Sequence, residues 1–66
     1  QGELAQALKT LEKAYSIKAD PEIVAHIAEV LTAMERKDDA RSRLNDAAKQ
    51  FPDNEVINGA LKKLQP

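Results

Sequence analysis

At 66 residues the chain is long enough for one small domain and no more; a domain of this size buries only about 60% of the surface its unfolded form exposes. It contains no cysteine, which excludes disulfides and thiolate–metal sites and is compatible with either a periplasmic or a cytoplasmic compartment. Ten basic and eleven acidic residues are interspersed to a net charge of −1, so no field of one sign exists to steer a polyanion, and no apolar run approaches the roughly 20 residues that span a bilayer.

The first apolar residues, Leu4, Ala7, Leu8, Leu11, Ala14 and Tyr15, recur at i, i+3, i+4 and i+7. That stripe predicts an amphipathic helix over residues 3–17, with Gln6, Lys9, Thr10, Glu12 and Lys13 outside it. Asp20-Pro21-Glu22 then marks a new start. Asp20 can cap the free amides, Pro21 suits the first helical position, and Glu22 complements the positive end of the dipole. The second helix runs from Pro21 to about Met34 and carries Ile23, Val24, Ala25, Ile27, Ala28, Val30, Leu31, Ala33 and Met34. A helix apolar around most of its girth is packed on more than one side, which places it at the centre of the fold.

Glu35-Arg36-Lys37 reads as a short turn, and Asp38 or Asp39 as the start of a third helix ending near Gln50. Its inner stripe is Ala40, Leu44, Ala47 and Ala48, closed by Phe51. Inward alanines let helix axes approach closely, as antiparallel neighbours on a brief loop require. Asp39 and Arg43 stand one turn apart and are spaced to pair. Phe51-Pro52-Asp53-Asn54 stops the helix, and Asp53 or Asn54 can cap the next. The fourth helix, Glu55 to about Leu64, sets Val56, Ile57, Ala60, Leu61 and Leu64 on one face, with Gly59 weakening it. No strand pattern occurs.

The first and third helices repeat one another. Gly2 falls opposite Glu35, Ala7 opposite Ala40, Leu11 opposite Leu44 and Ala14 opposite Ala47, each pair 33 positions apart. Between the second and fourth helices Ile27 falls opposite Leu61, a shift of 34. Self-similarity at this period in a helix–turn–helix unit predicts a helical solenoid.

With Gly2 at a turn, Ala7, Leu11 and Ala14, then Ala40, Leu44 and Ala47 closed by Phe51-Pro52-Asp53-Asn54, the chain resembles the tetratricopeptide repeat family. It departs at Val24, where Trp is common, at Ala28, where Gly is common, and at Glu35, where a turn Gly is preferred. The resemblance implies an all-α, right-handed solenoid of four antiparallel helices. Residues 3–17 would be the second helix of a partial repeat, residues 21–51 a complete repeat, and residues 54–64 a C-terminal capping helix. It further implies a scaffold or adaptor that binds a partner protein on its concave surface. On this chain that surface would be Glu22, Ala25, His26, Glu29, Thr32 and Ala33. Family members that clamp a C-terminal carboxylate use Lys, Arg and Asn there; Glu22 and Glu29 would repel one, favouring a basic or amphipathic peptide or helix. The wording of residues 20–31 is also similar to C-terminal repeats of bacterial envelope lipoproteins, which would imply the periplasm. Gln1-Gly2 reads as the interior of a longer chain and Leu64-Gln65-Pro66 as its natural end.

Catalysis is not expected, nor is a cofactor. Ser16 and Ser42 have no base and orienting acid beside them, and the two glycines form no phosphate loop. The lone His26, with Glu22 and Glu29 on its helix face, would make a poorly preorganised metal site. Arg36, Lys37, Arg41 and Arg43 form a basic cluster, but Glu35, Asp38, Asp39 and Asp46 interrupt it and no aromatics accompany it, so it reads as a solvated convex face rather than a nucleic-acid site.

Leu4, Leu8, Leu11 and Tyr15 would lie on an apolar face left partly exposed by a missing upstream helix. If about half of each side chain's burial worth of 1.5–3 kcal/mol is forgone, the loss is on the order of 3–6 kcal/mol. Against a total stability of about 5–15 kcal/mol, this predicts that the open face is covered by a further helix or by self-association.

Overall fold

The computed structural model describes residues 2–64. Four helices follow one another: α1 (Gly2–Ile17), α2 (Pro21–Ala33), α3 (Lys37–Gln50) and α4 (Glu55–Leu64). There is no strand among the described residues, and the fold is all-helical. Gln65-Pro66, read from the sequence as the chain's end, and Gln1 lie outside the described residues.

Each boundary has a local cause. The Asp20 carboxylate accepts the Glu22 amide at 2.9 Å to cap α2, with Pro21 at the first helical position. Asn54, not Asp53, caps α4: its Oδ1 accepts the amides of Val56 and Ile57 at 3.0 and 3.1 Å. Asp53 instead turns the chain in the left-handed region, at φ 65°.

Helix α2 ends in a paired-bond C-terminal motif. The Arg36 amide bonds back to the Leu31 carbonyl and the Glu35 amide to the Thr32 carbonyl, at 2.8 and 3.0 Å. This geometry places Glu35 at φ 61°, where glycine is preferred. Helix α3 then begins at Lys37, one residue earlier than the sequence suggested. Its flanking residue Arg36 makes no side-chain cap, so Asp38 and Asp39 lie inside the first turn. Gly2 is helical and has no positive φ, so the expected turn there is absent.

The core is Val24, Ile27, Ala28 and Leu31 from α2, Ala40, Leu44 and Ala47 from α3, and Ile57 and Leu64 from α4. Helix α2 contributes the most, as its wide apolar arc required, and it packs against all three other helices. Of the inward stripe expected on α3, Ala40 and Leu44 are fully buried, Ala47 is nearly so and Ala48 is half-buried.

Helix α1 buries no residue completely. Leu4, Leu8, Leu11 and Tyr15 are half-buried, and the last three pack against the core. Leu11 also lines a shallow hollow on α1 with Gly2, Glu3, Gln6, Ala7 and Thr10. The large apolar side chain that α1 exposes is Ile17, at 78%.

Candidate functional site

The helices alternate in direction. Arg41 of α3 donates to the carbonyl of Leu64 at the far end of α4, 2.9 Å away, so α3 and α4 are antiparallel. Short turns reverse the chain between α2 and α3 as well. Helices α2 and α4 therefore run side by side in the same direction, and a groove of about 780 Å³ lies along them.

Five of the six residues anticipated on the concave surface line this groove: Glu22, Ala25, His26, Glu29 and Thr32. Ala33 does not.

The opposite wall was missed in the sequence. It consists of Glu55, Val56, Gly59, Ala60 and Lys63 of α4, joined by Lys37 at the start of α3. The signal was present: the 34-residue shift of Ile27 to Leu61 also carries Glu22 to Val56, Ala25 to Gly59, His26 to Ala60 and Glu29 to Lys63. Val56 had been assigned to the inner face of α4, yet it is 38% exposed and lines the groove. The same shift carries Val24 and Ala28, both buried in α2, to Asn58 and Lys62, both exposed on α4. The positions of α4 that match these two buried residues of α2 are therefore polar and exposed.

Among the described residues no group of three or more His, Asp and Glu side chains is placed to hold a metal ion; His26, Glu22 and Glu29 line the groove without forming such a cluster. The basic residues near the third helix are largely neutralised within the fold. Arg36 pairs with Asp39 at 2.8 Å and Arg41 with Asp38 at 3.4 Å. Arg43 reaches not Asp39 but Glu12 of α1, at 2.6 Å. The hydrogen bond that Arg43 donates to Glu12 raises the Arg43 pKa above its ordinary value, burial opposing it. Arg43 thus ties α3 to α1 instead of lying on a solvated face. No described helix is long and apolar enough to cross a membrane.

Short helices in alternating directions, a period of 33–34 residues and a groove between α2 and α4 define a helical-repeat protein. A family model described as tetratricopeptide repeat matches residues 1–64, nearly the whole chain, and the chain belongs to that family. Comparison with curated proteins and with solved structures gave no match. Tetratricopeptide repeats generally mediate protein–protein interaction, and the family is a non-catalytic repeat module.

Proposed function

We propose that this chain is a scaffold or adaptor module that seats a peptide or helix of a partner protein in the α2–α4 groove. The observation carrying this reading is the groove itself. Its floor is built from small or apolar residues such as Ala25, Ala28, Gly59 and Ala60, and its rims are charged. Small floor residues leave room for a partner's larger side chains, while the rims select among partners. In this reading α1 is the second helix of a partial repeat, residues 21–51 are a complete repeat, and α4 is a capping helix. The exposed Asn58 and Lys62, on the face where a further helix would dock, support the capping role. The likeness of α2 to envelope-lipoprotein repeats rests on sequence wording and adds a bacterial, periplasmic setting to the proposal.

The test is position-specific photo-cross-linking in the chain's native cell. A photoreactive residue at Ala25 or Ala60 should capture one partner that the same probe at the exposed Ser42 does not. Equal capture from both faces would sink the groove assignment. In addition, Glu29→Lys should weaken binding of that partner while leaving the melting temperature within about 2 °C, since the side chain is exposed.

A second reading is self-association through the open side of α1. It is favoured by the 78% exposure of Ile17 on a helix with no fully buried residue. Sedimentation equilibrium decides it: a monomer mass that holds up to millimolar concentration would remove it.

A further inference from the structure

The groove carries five charged residues, and their arrangement along it is ordered. Glu22 lies in the first turn of α2 and Glu55 in the first turn of α4. Because these helices are parallel neighbours, both carboxylates stand at the same end. Lys63 is in the last turn of α4, and Lys37 follows the turn that leaves the C-terminal end of α2. Both ammonium groups therefore stand at the other end, where Glu29, matched to Lys63 by the 34-residue shift, offsets one of them, so that two carboxylates at one end face two ammonium groups and one carboxylate at the other. All five are exposed, and none makes an ion pair among the described residues, where the pairs within 4 Å are Arg36–Asp39, Arg41–Asp38 and Arg43–Glu12.

Glu22 and Glu55 complement the dipoles of their own helices, as Lys63 does. Lys37 does not: it sits at the start of α3, where a cation is disfavoured. Helix stability alone thus gives no reason for a positive charge at that rim. A uniformly basic partner, which Glu22 and Glu29 alone would favour, meets two ammonium groups at the far end.

We propose that the groove reads direction: its occupant is an amphipathic peptide segment, cationic at one end and anionic at the other, held with its cationic end beside Glu22 and Glu55 and its anionic end beside Lys37 and Lys63. This rests on the groove being the binding surface. Opposite charges at both ends fix the orientation of the segment, while the apolar floor supplies contact area that is indifferent to direction.

Three synthetic amphipathic peptides of about four helical turns, roughly 14 residues, serve as probes. They share one apolar face and differ in their charged residues: basic at one end and acidic at the other, basic throughout, or acidic throughout. Calorimetry at low salt should show the polarised peptide binding about threefold to tenfold more tightly than either uniform one, the range expected for two to four exposed charge contacts. The double variant Lys37→Glu with Lys63→Glu should reverse the preference toward the uniformly basic peptide. A spin label on the acidic end of the polarised peptide should broaden amide resonances around Lys37 and Lys63, and one on the basic end those around Glu22 and Glu55. Equal or tighter binding of the uniformly basic peptide, or broadening that does not depend on which end is labelled, overturns the directional inference and leaves the groove reading standing. No saturable binding by any of the three peptides overturns both.

Discussion

Arg43 of α3 and Glu12 of α1 meet at 2.6 Å, joining two helices 31 residues apart in sequence. The same guanidinium lies over the Tyr15 ring, 5.9 Å from its centroid, and the Tyr15 hydroxyl donates to Gln50 at 3.2 Å. These polar contacts bind α1 to α3 on the side away from the groove. Both partners of the ion pair are partly exposed, with side-chain exposures of 32% and 44%, so solvent screening keeps the pair's worth near the upper end of the surface range, at about 0.5–1 kcal/mol. Arg43→Met should lower stability by that amount, and a double-mutant cycle with Glu12→Gln should return most of it as coupling energy in urea melts. A raised arginine pKa stabilises at every pH below the ordinary arginine range and is lost only above it. Titration of Arg43 should therefore leave its contribution unchanged between pH 6 and pH 9.

Glu35 holds a left-handed backbone conformation, φ 61°, at the end of α2. An L-residue there costs roughly 1 kcal/mol relative to glycine. Glu35→Gly should raise stability by about 0.5–1 kcal/mol despite glycine's greater freedom in the unfolded chain, because the two capping bonds already fix the turn. Thermal unfolding followed by circular dichroism would show this as a higher midpoint; a lower one would mean that the strain is absent.

Gly59 sits within α4, and a Cβ built there meets nothing within 4 Å. Gly59→Ala should therefore stabilise the helix by about 0.5–1 kcal/mol. The added methyl group enters the groove wall, so partner affinity should fall even as the melting temperature rises. Such opposite movements, read by calorimetry and thermal melts on one protein, would separate a binding role for the groove from a structural one.

Ala47 is 3% exposed among the close-packed residues of α3. Ala47→Leu should force those helices apart and cost about 1–3 kcal/mol through overpacking. A denaturant midpoint unchanged by this substitution would show that the approach is looser than the burial indicates.

Helix number and the Asp20 cap of α2 were legible because their causes are local. Asp20-Pro21-Glu22 carries a start signal within three residues, and the wide apolar arc of α2 required its central position whatever surrounded it. Half of the groove was legible for the same reason, since Glu22, Ala25, His26, Glu29 and Thr32 share one helix face. The partner of Arg43 was not. Asp39 is the nearer acid in sequence, yet Asp39 turns back to Arg36 while Glu12 arrives from another helix.

The sequence by itself determined four helices, the Asp20 cap of α2, the 33–34 residue repeat and the burial of α2, because these depend on periodicity and side-chain chemistry within one or two turns. The tertiary structure alone decided that Lys37 of α3 joins the acidic residues of α2 in one groove and that Arg43 bridges α3 to α1. Those outcomes depend on how each helix is rotated and offset against its neighbours, which is set by the packing of whole faces and is not written in any single stretch of the chain.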